Sequence, residues 1–235
     1  MRLLVTRSQP DALRTVLALQ ARGHEAIAAP LFEIENLSAI DPDAGPWDAI
    51  LLTSANALWA IAGFGWNDAW RDVPIFAVGE RTAQAARDSN FTAVASADGN
   101  VGDLANLVAA RLKPPARLLY LAGEDRAGDL AGALRAKNFV VDMVVVYRVI
   151  VAETLPAQAA AALRGELDGV LHYSRRSAEV FLTAARNAGL LEAALTKPVH
   201  YCLSARVAEP LTQAGAAKVR IAARPNEAAL LALCG

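Results

Sequence analysis

The stretch RLLVTRSQP at positions 2–10 returns as RLLYLAGED at 117–125, and the reading of the whole chain turns on that repetition. Leu3, Leu4, Leu19 and Ala21 reappear as Leu118, Leu119, Leu134 and Ala136, each 115 residues on. Two further pairs follow. WDAILLTSANA (47–57) is answered by LDGVLHYSRRSA (167–178), with Asp48 over Asp168 and Ser54 over Ser174. PIFAVGERTA (74–83) is answered by PVHYCLSARVA (198–208), with Arg81 over Arg206. A duplicated unit of this size predicts two similar domains, and ligand sites favour the cleft between such domains.

Within each copy, short apolar runs alternate with helical patterns. LLVT (3–6), EAIAA (25–29), AILLTS (49–54), IFAVG (75–79), TAVAS (92–96), RLLYLAG (117–123), DMVVVYRVIVA (142–152), GVLHYS (169–174), VHYCLS (199–204) and KVRIAA (218–223) read as strands. Runs apolar on both faces and spaced by helices signal a parallel sheet covered on both sides. Segments 11–23, 102–112, 177–189 and 226–233 carry the helical period; in the first, Leu13, Val16, Leu17 and Gln20 are so spaced and Gly23 supplies a stop. The expected architecture is doubly wound α/β, two similar flavodoxin-like parallel-sheet domains.

Residues 31–46 and 144–156 occupy the same place in the two repeats, and each runs a strand on into proline and acidic residues. If the chain crosses between domains at both, residues 1–37 with 152–235 form a discontinuous first domain. The insert is then 40–148, with linkers about 36–46 and 148–156. A tandem arrangement would instead cut at Lys113-Pro114-Pro115. Periodicity leaves both open.

Composition narrows the function. A net charge of −1 provides no global field for nucleic acid or a membrane surface, so an anionic ligand needs a local cluster. Cys202 and Cys234 are too few for a disulfide framework or a CxxC metal site and read as buried thiols in a reducing compartment. The apolar run at the N-terminus breaks at Arg7, too early for a signal peptide, and no run of 18 apolar residues occurs. A cytoplasmic protein without nucleic-acid or membrane partners is expected. Gly63-Phe64-Gly65 opens a dinucleotide fingerprint that Asp68 breaks. His24, His172 and His200 lack metal-ligand spacing, and Trp47, Trp59, Trp66 and Trp70 read as packing residues.

Small polar and cationic residues remain, at the C-terminal ends of the expected strands. They are Thr6 and Arg7, Thr53, Ser54 and Asn56, Gly79, Arg81 and Thr82, Gly123, Ser174, Arg175 and Arg176, and Ser204 with Arg206. Parallel sheets bind ligands at that edge, where helix N-termini offer free N–H groups to anions. Singly, each Ser, Thr or Asn reads equally as an ordinary helix N-cap. Recurrence in both halves at matching positions points to a shared anion-facing cleft. Tyr147 stands apart in VVVYRVI, 115 residues after Phe32, either as an aromatic in a half-buried strand or as a functional phenol. A phenol with the ordinary pKa near 10 keeps its proton at neutral pH and can donate it.

LLVTRSQP, DAILLTSANA, AVGERTA, LYLAGE, VVVYR and LSARVAEPLTQAG, in that order and spacing, resemble the uroporphyrinogen-III synthase family over essentially the whole chain. The resemblance implies two flavodoxin-like domains joined by a two-stranded β connection, the first discontinuous. It implies a monomeric enzyme needing no cofactor or metal. The implied reaction closes linear hydroxymethylbilane to uroporphyrinogen III, losing water and inverting ring D. The tyrosine of the family matches Tyr147 and its threonine matches Thr82. Where the other domain's turn often carries threonine, this chain has Val207. The competing readings are a non-catalytic two-domain binding module for a small polyanionic ligand, and a flavin or nucleotide enzyme on the same fold.

Overall fold

The computed structural model describes residues 1–37, 45–62 and 70–235, so Gly63-Phe64-Gly65, Trp66, Asp68 and most of the linker expected at 36–46 lie outside the described residues. The chain divides into two compact units, Met1–Glu33 with Ile150–Gly235 (unit 1) and Ile34–Val149 (unit 2).

Unit 1 contains strands β1 (Arg2–Val5), β2 (Glu25–Ala28), β9 (Gly169–His172), β10 (Val199–Cys202) and β11 (Val219–Ile221), ordered β2-β1-β9-β10-β11. All four pairings are parallel. In the unit's own strand sequence this is 2-1-3-4-5, the flavodoxin order. Unit 2 contains β4 (Ala49–Leu52), β5 (Ile75–Ala77), β6 (Val94–Ser96) and β7 (Arg117–Gly123). Two strands, β3 (Phe32–Asn36) and β8 (Val140–Val151), begin in one unit and end in the other. The second sheet is ordered β3-β8-β7-β4-β5-β6.

The repeat is visible in this topology. Matching β1 to β7, β2 to β8, β9 to β4, β10 to β5 and β11 to β6 gives both sheets the same spatial order. Their order along the chain differs by a circular permutation. Even single contacts are duplicated: the Asp168 carboxylate accepts Arg2 N–H at 2.6 Å, and the Asp48 carboxylate accepts Arg117 N–H at 2.7 Å. The Asp168 and Asp48 amides in turn donate to the Arg2 and Arg117 carbonyls. The aspartate common to both repeats therefore ties the start of one strand to its neighbour.

Alternation along the buried strands builds a core on each face of both sheets. In unit 2, Ile50, Leu52, Leu119 and Leu121 meet helices α2 (Ala55–Ala62) and α3 (Glu80–Asp88). Ala49, Leu51, Leu118 and Tyr120 face α4 (Val101–Arg111) and α5 (Leu130–Arg135). Trp47 and Trp70 pack edge to face in the first of these cores, centroids 5.4 Å apart. In unit 1, Leu4 and Val170 face α6 (Ala157–Arg164) and α7 (Arg175–Asn187), with α8 (Leu191–Thr196) beyond. Leu3, Val5 and Leu171 face α1 (Asp11–Gln20) and α10 (Glu227–Leu231). A last helix, α9 (Ala205–Gln213), follows β10.

One detail departs from the sequence pattern. The buried face of α1 is Ala12, Thr15, Val16 and Leu19, whereas Leu13 and Leu17 are more than half exposed. Val16 and Leu19 carry the buried stripe, and apolar period alone cannot separate two overlapping stripes. The helix stops at Gln20, and Gly23, at φ +79°, makes the left-handed turn that starts β2.

Candidate active site

The C-terminal edge of the unit 2 sheet opens into a cavity of 560 Å³. Its lining comes from the residues that follow four strands: Thr53 and Ser54 after β4, Val78 after β5, Gly99 and Asn100 after β6, and Asp125 and Arg126 after β7. Tyr120 and Tyr147 complete it from within β7 and β8. This is the position at which doubly wound sheets hold ligands.

Backbone geometry aims Tyr147. Strands β7 and β8 pair in register up to Ala122 with Val145, and then Gly123 pairs with Tyr147, so Val146 is skipped in a β-bulge. Bulges re-aim side chains beside active sites. The phenol then lies over Gly123. A Cβ there would come 2.6 Å from Tyr147 Cζ and 2.7 Å from its hydroxyl oxygen. Glycine at 123 is required for this placement.

Helix ends supply donors. The side chain of Asn100 caps α4 by accepting Gly102 and Asp103 N–H, and Asp103 reciprocates by accepting Asn100 N–H. Ser54 Oγ accepts Asn56 N–H at 3.2 Å at the start of α2. Arg126 donates to Gly123 C=O at 3.3 Å and brings a cation to the cavity wall. Tyr120, 1% exposed, has its hydroxyl 3.2 Å from Thr53 Oγ1, and burial raises its pKa.

Of the residues singled out from sequence, Thr53, Ser54 and Tyr147 meet at this cavity, with Gly123 directly beneath the phenol. Asn56, Gly79, Arg81 and Thr82 lie in the same unit on the first turns of α2 and α3. Gly79 is the N-cap of α3, and Thr82, 7% exposed, is three residues further on. Val207 occupies the corresponding place in α9 after its N-cap Ser204.

Arg7, Ser174, Arg175 and Ser204 belong to unit 1. There the strand ends are tied together by protein contacts. Arg7 pairs with Asp11 at 2.5 Å and Glu227 at 3.0 Å, and its guanidinium lies 4.2 Å from the centre of the Tyr173 ring. Tyr173 donates to Glu227 at 3.1 Å, and burial pushes its pKa up to about 12. Ser174 caps α7 in a capping box with Ser177, which is the structural reading of that serine. Arg175 pairs with Glu179 and Glu209. A hollow of 670 Å³ beside residues 150–157 is lined by Glu33 and Glu153 with no basic residue among its described lining, whereas the unit 2 cavity sets Arg126 beside Asp125.

Sequence reasoning missed Tyr120, Asn100 and Arg126. Tyr120 sits 115 residues after Val5 and so reads as a core position. Asn100 carried a usable signal, an N-cap before the helical run at 102–112.

A family profile for uroporphyrinogen-III synthase HemD matches residues 14–232. The chain belongs to that family. Uroporphyrinogen-III synthases are lyases of tetrapyrrole and haem biosynthesis, and this membership supports the synthase over the binding module. Direct comparison with curated protein sequences gives no match. Among solved structures, the uroporphyrinogen-III synthetase of Helicobacter pylori is similar over 100% of this chain and 98% of its own, at 20% identity and a TM-score of 0.61. A mutant uroporphyrinogen III synthase of Thermus thermophilus is similar over 100% and 96%, at 17% identity and a TM-score of 0.53. At these identities the likeness is one of fold. Among the described residues, no helix is long and apolar enough to cross a membrane.

Proposed function

We propose that this uroporphyrinogen-III synthase acts on linear hydroxymethylbilane through the unit 2 cavity, with Tyr147 as the proton donor for loss of the substrate hydroxyl. The observation that carries the assignment is the phenol aimed by a β-bulge and seated on Gly123 at the sheet edge. Protonation of the hydroxyl by Tyr147 releases water and leaves an electrophilic methylene on ring A. The substituted carbon of ring D attacks that methylene and forms a spiro intermediate. The spiro centre then breaks its bond to the bridge from ring C, and the free ring D carbon recloses on that bridge. Loss of the proton from that carbon restores the phenol, so the sum is substrate to product plus water.

The remaining residues hold the chain of rings. Eight carboxylates need many modest contacts, since exposed Arg–carboxylate pairs contribute only about 0–1 kcal/mol each. Arg126 and the hydroxyls of Thr53 and Ser54 suit that work. On the unit 2 edge, Asn56, Gly79, Arg81 and Thr82 extend the same set. In unit 1, Arg7, Ser174 and Arg175 contribute only by giving up intramolecular partners or through backbone N–H groups, whereas Ser204 makes no side-chain bond to its helix. Catalysis is then chiefly positioning of ring D. The protein is expected to work as a cytoplasmic monomer.

The test is to incubate the purified chain with freshly made hydroxymethylbilane, oxidise, and resolve the porphyrin isomers. Type III in excess of a protein-free control is expected. Type I alone, at the uncatalysed rate, would reject the assignment.

A further inference from the structure

We infer that Tyr120 is a positioning residue which turns the hydroxyl of Thr53 into a directed donor for a substrate carboxylate; this rests on the substrate reading above. The two residues stand on neighbouring strands, where Leu51 pairs with Tyr120, and both line the cavity. Their oxygens are 3.2 Å apart, and either could donate. The phenol is the stronger acid and, at 1% exposure, has no solvent to turn to. Its proton therefore goes to Thr53 Oγ1. An oxygen that accepts this bond keeps its own proton for another acceptor, and the half-buried Thr53 faces the cavity. Burial also raises the pKa of Tyr120, which keeps the donor protonated.

The duplication separates this role from mere scaffolding. In unit 1, the place of Tyr120 is taken by Val5, fully buried, and the place of Thr53 by Tyr173. That sheet forms without any phenol–hydroxyl pair at these two positions. Tyr173 is instead bound to Thr15 and Glu227. The pair thus lines the 560 Å³ cavity of unit 2, and the shared fold does not need it.

Steady-state kinetics with hydroxymethylbilane on Tyr120→Phe, Thr53→Val and the double variant test this, with melting curves alongside. Both single variants remove a hydroxyl at nearly constant shape. Each is expected to raise KM about three- to ten-fold, the range of one ordinary hydrogen bond, with kcat little changed. The double variant should be no worse than Thr53→Val alone, because Tyr120 acts through Thr53. An unchanged KM for Tyr120→Phe in an enzyme that still makes type III overturns the inference while leaving the proposed function intact. So do effects that multiply in the double variant, or a lowered Tm with KM unmoved. A wild-type chain that makes no type III removes both readings together.

Discussion

At the scale of the residue, the proposed role of Tyr147 rests on its phenol and on the absence of a methyl group at Gly123. Tyr147→Phe removes the proton donor and leaves the ring packed in the core that holds Trp47, Leu119 and Leu121. General acids contribute about 10²–10⁴-fold, and positioning carries much of this reaction, so a loss near 10²-fold in kcat is expected, with Tm little changed. Unchanged turnover would take Tyr147 out of the mechanism. Gly123→Ala makes the complementary change. Its new Cβ would fall 2.6 Å from Tyr147 Cζ, so the ring must move while its hydroxyl survives. A misplacement of about 1 Å can cost about 10²-fold, and a loss of that order is expected in a protein that still folds. Full activity in Gly123→Ala would show that the phenol works from another position.

At the scale of the element, the paired aspartates carry a prediction that the duplication makes quantitative. Asp48 and Asp168 each accept the first N–H of a neighbouring strand, at 2.7 and 2.6 Å. Each replacement by alanine is expected to cost about 1–2 kcal/mol, and since the residues lie in different units each loss should fall on the urea transition of its own unit, the double variant showing both. A double variant no less stable than either single one would refute independent anchoring. The elements themselves were largely legible in the sequence, because strands buried on both faces leave unbroken apolar runs and because the repeat displays each of them twice. What escaped was set by contacts between distant residues. The apolar Leu13 and Leu17 mark the wrong face of α1, since the helix carries two overlapping apolar stripes and the one with Val16 and Leu19 is buried. The bulge that aims Tyr147 follows from register and from a glycine, neither of which alters hydrophobic period. Arg7 and Arg175 looked available to an anion although Asp11 and Glu179 stand only four residues on, and their second partners, Glu227 and Glu209, lie 220 and 34 residues away. Tyr120 looked like core, and by burial it is core. Only its bond to Thr53 distinguishes it from Val5 in the other sheet.

At the scale of the whole molecule, the two units differ in how they respond to acid. All three histidines, His24, His172 and His200, fall within unit 1. His172 and His200 are fully buried side by side on β9 and β10. His200 Nε2 lies 2.9 Å from Ala194 C=O, which can only accept, so that nitrogen carries the proton. His200 Nδ1 therefore accepts from His172 Nε2–H at 3.0 Å, and His172 Nδ1 is left buried without a partner. A further proton on His200 Nδ1 would set two donors against each other. Burial lowers the pKa of His200 to about 4 and that of His172 well below its ordinary value. The unfolded chain takes up protons below pH 6.5, whereas the folded unit resists until about pH 4. Stability is thus full above about 6.5 and declines as pH falls from there toward about 4. For His200 alone the difference approaches roughly 3 kcal/mol. All four tryptophans, at 47, 59, 66 and 70, belong to the chain segment of unit 2, so fluorescence reports that unit while far-UV ellipticity reports both. Between about pH 7 and 4.5 the urea midpoint of the early ellipticity transition should fall by about 1–2 M, with the fluorescence midpoint nearly fixed. If the two probes instead moved together at every pH, the units would be unfolding as one cooperative body, and the histidine pair would be destabilising the whole chain.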